Sequence, residues 1–258
     1  MKVKDKAWRH INLLIGGSPC QGFSFAGKQL NFDDPRSKLF FEFVRLKNAL
    51  KPKYFLLENV KMKKESQDVI SKYMGVEPIE INSNKFSAQN RKRLYWTNLP
   101  IDEIVDQGVY LHDILEDGCT DRTKSHCIDA NYFKGGNLKS YFEKHRRQLV
   151  FSNEGLIHVG NADINGHDTI KRVYHSSGKS PTLNACTGGN REPKVFVEPY
   201  KWRKLTPLEA ERLQTVPEGY TNHVSNTQRY KMLGNGFTVD VIAHILKSIK
   251  QNNKELCL

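Results

Sequence analysis

A cysteine, Cys20, follows a short apolar run and a glycine-rich stop, in the order Asn12-Leu13-Leu14-Ile15-Gly16-Gly17-Ser18-Pro19-Cys20-Gln21. A run of this kind predicts a buried strand over Asn12 to Ile15, a tight loop after it, and a thiol presented just beyond the strand end. Ligands of open α/β sheets bind outside the carboxyl ends of the strands, and cysteine is the most nucleophilic side chain near neutral pH once its pKa is lowered. The plain alternative is a small buried hydrophobe, which is what most cysteines are. A carboxylate, Glu58, holds a comparable position at the end of a second apolar run, Tyr54 to Leu57, and is followed by Asn59 and Val60. Gln89, Arg91 and Arg93 alternate, so an extended backbone would place all three on one face. They could equally be a solvated basic edge.

The elements that must position these groups follow from periodicity. After Cys20, the polar stretch Gly22 to Arg36 is too long for a simple turn, and loops of that length in compact domains usually carry function. Ser37 is placed as an N-cap, and Leu39, Phe40, Phe43, Val44, Leu46 and Leu50 have helical spacing up to Lys51-Pro52. Strand, helix and strand over residues 12–57 make a βαβ unit whose right-handed crossover leaves the two strands parallel, with Cys20 and Glu58 at one sheet edge. A second helix is expected over Glu65 to Tyr73. Strands are expected at Glu77 to Ile81 and Leu94 to Thr97, where Asn98-Leu99-Pro100 stops the pattern.

Composition narrows the partners. The chain has 258 residues, with 40 Lys+Arg against 28 Asp+Glu, a net charge of +12. That balance points to a polyanion, the alternative being a generally basic surface. No apolar run approaches the roughly 20 residues of a membrane span, and Met1 to His10 lacks the apolar centre of a signal peptide, so no membrane association and an intracellular location are expected. The five cysteines are odd in number and widely spaced, without a C-x-x-C pair. Neither a disulfide framework nor a metal site is indicated, and His126-Cys127 near Cys119 reads as chance.

From about Ile101 to Glu198 the sequence changes to short segments rich in Gly, Asn, Ser, Thr, His and aromatics with basic residues between them. They predict a second domain of short strands and long loops, in which Gly178 to Lys194 suits contacts to phosphates and base edges. Thr206, Pro207 and Glu209 then mark a strong helix start. Gly234-Asn235-Gly236 reads as a loop allowing close backbone approach to a ligand, before a last helix with Val239, Ile242, Ala243 and Leu246 on one face.

Together these motifs resemble the DNA (cytosine-5) methyltransferase family. The resemblance rests on Gly17-Ser18-Pro19-Cys20-Gln21 with Gly22-Phe23-Ser24, on Glu58-Asn59-Val60, and on Gln89-x-Arg91-x-Arg93. It continues through Arg203-x-Leu205-Thr206-x-Leu208-Glu209-x-x-Arg212-Leu213-Gln214 to Gly234-Asn235-Gly236; each motif is weak alone, but the ordered set is specific. It implies a partial doubly wound, mainly parallel α/β methyltransferase sheet with a small strand-and-loop target-recognition domain. The implied boundaries are a first catalytic part over 1–103, recognition over 104–198, and a return to the catalytic domain over 199–258. It further implies S-adenosylmethionine as cofactor, duplex DNA as partner, and a bacterial or phage-encoded protein acting in the cytoplasm.

Within that family reading, Cys20 adds to carbon 6 of a flipped cytosine, Glu58 acts at ring nitrogen 3, and Arg91 and Arg93 hold the base oxygen and nearby phosphates. Pro19, Asn235 and Gly236 fall to the cofactor. Gln21, Ser24, Asn59, Gln89, Thr182 and Leu183 fall to DNA. The family's F-x-G-x-G turn, which holds the methionine part of the cofactor, has no counterpart ahead of Asn12. A two-chain enzyme with a second polypeptide, a truncated frame and a fragment of a longer chain are the alternatives this leaves. Two other function classes stand beside the enzyme: a catalytically silent DNA-binding protein, and a cysteine hydrolase pairing Cys20 with His158 or His175.

Overall fold

Strand β1 spans Leu13–Gly17, so Gly16 and Gly17 belong to the strand rather than to the loop expected after it. The reason is pairing: β1 runs parallel to β2, Tyr54–Val60, and the register continues through Gly16 opposite Leu57 and Gly17 opposite Glu58. A side chain at Gly16 would not fit, because its Cβ would stand 2.8 Å from the ring of Phe43. The computed structural model describes residues 11–17, 38–152, 158–161, 165, 171–175, 194–196 and 202–254. These fall into two units, residues 1–108 with 237–258, and residues 109–236. The stretch 199–236, which the sequence assigns to the returning catalytic domain, lies in the second of them.

In the first unit, helix α1, Lys38–Leu50, follows the apolar spacing that predicts it, and helix α2, Lys64–Met74, ends on Gly75. Gly75 takes a left-handed φ of 76° and returns its N–H to the carbonyl of Ser71 at 2.7 Å, which closes the helix as glycine best can. Two further strands, β3 at Ile79–Asn82 and β4 at Lys92–Thr97, complete a sheet of order β1-β2-β4-β3. Its β1/β2 pairing is parallel and the other two are antiparallel. The unit is therefore mixed α/β. β4 stops where expected, since the Asn98 side chain accepts from Phe55 N–H at 3.0 Å and donates to the Lys53 carbonyl at 2.9 Å.

Strand alternation divides the core between the two sheet faces. Phe55 and Leu57 of β2 and Leu94 and Trp96 of β4 pack with Phe40, Phe43 and Val44 of α1 and Ile70 and Met74 of α2. The Trp96 ring N–H is satisfied by Ser71 Oγ at 3.0 Å. Tyr54, Leu56 and Tyr95 point the other way, into a cluster with Ile81, Phe86, Leu99 and the last helix of the unit. That helix spans Val239–Lys254 and buries Val241, Ile245 and Ser248. Of the expected face, Val239 and Ala243 are exposed and Ile242 and Leu246 half-buried; the fully buried ridge lies one position earlier, at Val241 and Ile245. Glu58 and Arg93 share the parity of this second face.

Among the described residues, the second unit carries two small sheets. β5, Leu149–Phe151, pairs antiparallel with β9, Trp202–Lys204. β6, His158–Asn161, pairs antiparallel with β7, Arg172–His175, which runs parallel to β8, Lys194–Phe196. Short helices α3 at Leu111–Ile114 and α4 at Leu138–Lys144 precede them. Helix α5, Pro207–Leu213, begins as the sequence dictates: Thr206 Oγ1 accepts from Glu209 N–H at 3.1 Å, and the Glu209 carboxylate accepts from Thr206 N–H at 2.8 Å. The same carboxylate, fully buried, receives both terminal nitrogens of Arg203 at 2.8 Å. Arg203 and Glu209 of the R-x-L-T-x-L-E run are thus one bidentate pair that ties β9 to the start of α5. Helix α6, Asn226–Asn235, follows, and Val239–Lys254 of the first unit is α7. Among the described residues no helix is long and apolar enough to cross a membrane.

Candidate active site

The parallel register places Gly17, the last residue of β1, opposite Glu58. A Cβ at Gly17 would lie 3.3 Å from Glu58 Oε2 and 3.6 Å from the ring of Phe237. Glycine thus lets the carboxylate lie directly alongside β1, with Cys20 three residues further on in sequence. Cys20 itself, with Pro19, Gln21, Ser24, Thr182 and Leu183, lies outside the described residues.

On its other side Glu58 meets β4. The antiparallel register pairs Glu58 with Tyr95 and Val60 with Arg93, which makes Arg93 the diagonal neighbour of Glu58 on the same face. Arg93 Nε stands 2.9 Å from Glu58 Oε1, and the two side chains are 15% and 14% exposed. Burial pushes the Glu58 carboxyl above the usual carboxylate range; the charges of Arg93 and Arg91 and the hydrogen bond from Arg93 pull it back without cancelling the rise. The paired phenol of Tyr95 is buried, and burial together with the Glu58 charge raises its pKa as well. The result is a sequestered acid held in one orientation by a guanidinium, with a proton it keeps to higher pH than a free carboxyl. Such a group can donate to a ring nitrogen or stabilise charge appearing there.

Gln89 and Arg91 are buried rather than forming the solvated basic edge that their sequence also allowed. The turn before β4 is tied to the end of β3: Ser83 Oγ donates to the Gln89 carbonyl at 3.0 Å, Ser83 N–H to the Arg91 carbonyl at 3.1 Å, and Arg91 N–H to Asn82 Oδ1 at 2.9 Å. Glu58, Arg91 and Arg93 are therefore brought together electrostatically. Asn59, of opposite parity, is buried, and its side-chain oxygen accepts from Val60 N–H at 2.8 Å. Tyr95 joins the site without a motif to mark it. Its signal is the step of two beyond Arg93, which continues the alternation of Gln89, Arg91 and Arg93 along one face.

The Gly234-Asn235-Gly236 segment is not the loop that its glycines predict. Gly234 and Asn235 are the last turn of α6, and Gly236 closes it with an N–H to the Met232 carbonyl at 2.8 Å. The close approach that Gly234 permits is to the protein itself, since a Cβ there would sit 2.3 Å from the Asp129 carbonyl carbon and 2.4 Å from Ala130 N. Gly234→Ala should cost about 1–3 kcal/mol of stability by overpacking, read as a lower urea midpoint. An unchanged midpoint would show that the backbone gives way freely. Asn235 is exposed and Gly236 beside it half-buried.

The sequence profile of C-5 cytosine-specific DNA methylases matches residues 1–251. The chain is 29% identical, over 96% of its length, to the type II methyltransferase M1.ScrFI of Lactococcus lactis subsp. cremoris, and covers 64% of that protein. It thus spans less than two thirds of that relative's length. It is 30% identical over 93% of its length to the type II methyltransferase M.NlaX of Neisseria lactamica, covering 76% of it. The fold is similar to that of the Entamoeba histolytica methyltransferase EhMeth, with a TM-score of 0.58 at 16% identity over 93% of this chain and 77% of that one.

Proposed function

The chain belongs to the C-5 cytosine-specific DNA methylase family, and on that premise we propose that it methylates carbon 5 of a cytosine flipped out of duplex DNA, through a covalent adduct to Cys20. The observation that carries this reading is the buried Glu58–Arg93 pair beside Gly17. Carbon 5 of cytosine is a poor nucleophile. Addition of the Cys20 thiolate to carbon 6 makes it an enamine-like one, provided that charge appearing at nitrogen 3 is neutralised. Glu58 supplies that proton, and its raised pKa keeps it available. Arg93 orients Glu58 while its Nη1 donates to the Lys92 carbonyl at 2.8 Å, and its charge is assigned to the base oxygen; Arg91, buried, adds positive charge that acts on Glu58. S-adenosylmethionine, when bound, supplies the methyl group as an electrophile. Loss of the carbon 5 proton then expels Cys20 from carbon 6 and restores the ring.

Asn235, Gly236 and Pro19 are proposed to hold part of the cofactor. An exposed carboxamide beside a glycine offers a donor and an acceptor without obstruction. The F-x-G-x-G turn that would hold the methionine part completes the site, from the same chain or from a second polypeptide. Gln21, Ser24, Thr182 and Leu183 are assigned to DNA, whereas Asn59 and Gln89 are buried, the Asn59 side chain accepting from Val60 N–H and the Gln89 carbonyl from Ser83 Oγ.

Transfer of tritiated methyl groups to duplex DNA, with and without a polypeptide bearing that turn, tests the reading. Transfer confined to carbon 5 of cytosine is expected when the turn is supplied. Methyl groups on an exocyclic nitrogen, or none under either condition, would overturn it.

A further inference from the structure

The close packing of Gly234 on Asp129–Ala130 fixes α6 against the short 3-10 turn Tyr132–Lys134, and this packing gathers three cations from different parts of the second unit. Lys231, one helical turn before Gly234, places its ammonium 5.3 Å from the centre of the Phe133 ring. Lys134 stands 5.9 Å from the same ring. Lys204, at the end of β9, donates to the Phe133 carbonyl at 3.2 Å and lies 4.7 Å from the centre of the Tyr230 ring. Each interaction is weak, of the order of a kcal/mol, but together they hold three like charges at two rings, Phe133 and Tyr230. Asp129, the acid on the packed segment, is engaged by Arg146 at 3.0 Å. No ion pair to Lys134, Lys204 or Lys231 occurs among the described residues.

Like charges repel, so an arrangement that collects them without an acid is one that an anion stabilises. The ammoniums are carried by separate elements, the 3-10 turn, β9 and α6, at the rings of Phe133 and Tyr230 and the carbonyl of Phe133. A chain of phosphates matches that spread, since duplex DNA carries a charge about every 1.7 Å of axis. We propose that Lys134, Lys204 and Lys231 form a phosphodiester-binding patch that grips the DNA backbone away from the reacting cytosine. This rests on the reading of the protein as acting on duplex DNA. None of the three lysines is a specified position of the motifs that mark the family resemblance, Lys204 filling the open position between Arg203 and Leu205. The patch carries register and affinity, not base identity.

Duplex binding by fluorescence anisotropy over a series of salt concentrations tests the patch. The Lys134→Gln/Lys231→Gln variant should weaken binding to all duplex sequences alike and flatten the log–log salt dependence by about 2, near one unit for each phosphate no longer neutralised. Lys134→Glu, at an exposed position and so harmless to folding, should weaken binding further, and Lys134→Arg/Lys231→Arg should keep the wild-type slope. Lys51→Gln/Lys72→Gln in the first unit matches the charge change elsewhere and should leave the slope nearly unaltered. Equal flattening in that control, an unchanged slope in the patch variants, or displacement of the duplex by inorganic phosphate at constant ionic strength would overturn the patch. Wild-type protein that fails to bind duplex DNA would instead overturn the functional reading beneath it.

Discussion

Replacing Glu58 by glutamine is expected to slow methyl transfer by about 10²–10⁴-fold, the range over which a positioned general acid contributes. Glutamine keeps the shape and can still direct an N–H at ring nitrogen 3, but it has no proton to give. Duplex binding should be retained, because Glu58 is mostly buried. Single-turnover transfer at saturating DNA separates these, and a loss below about tenfold would remove Glu58 from the chemistry. The same variant carries a stability signature. A carboxyl whose pKa is raised on folding binds a proton that the unfolded chain has released, so its stabilising share is full below the ordinary carboxylate range and is lost as pH climbs through the raised value. Urea midpoints across that window should therefore fall with pH in the wild type and fall less in Glu58→Gln.

Cys20→Ser should abolish transfer altogether. A serine hydroxyl near neutral pH has almost no alkoxide and adds to carbon 6 poorly, so carbon 5 never becomes nucleophilic. DNA in which the target carries 5-fluorocytosine gives the complementary readout. Fluorine cannot leave as the carbon 5 proton does, and the wild-type protein should remain bound through a bond that survives denaturing electrophoresis. Cys20→Ser should give no such band while still binding ordinary duplex. Substantial turnover by the variant would mean that another group attacks the ring.

How much of the architecture is legible in the sequence depends on whether the deciding interactions are local. β2, α1 and α2 follow from unbroken apolar runs and helical spacing, signals contained within each segment. The capping box at Thr206–Glu209 is equally local. By contrast, Gly16 and Gly17 look like a turn and are strand, because β2 lies alongside and completes their ladder. Asn226–Asn235 is hidden as a helix by its terminal glycines, whose role is set by Asp129, a residue far earlier in the chain. Glu58 and Arg93 are legible as chemistry from their motifs. Their ion pair is not, since it depends on the β2/β4 register, and neither is the burial of Gln89 and Arg91, which depends on how the turn folds back on β3.

That register has a bearing on how the protein matures. Side chains alternate along β2, so Glu58 and Asn59 occupy opposite faces of the sheet and a slip of one residue against β4 would exchange them. The slipped chain would still have strands, helices and a collapsed interior, yet it would present a carboxamide where an acid is needed, turn a carboxylate toward the face of Leu94 and Trp96, and carry Phe55 and Leu57 to the opposite face. Spectroscopic recovery of secondary structure can therefore run ahead of competence during renaturation. Regain of methyl transfer would time the moment at which a single pair of strands finds its alignment.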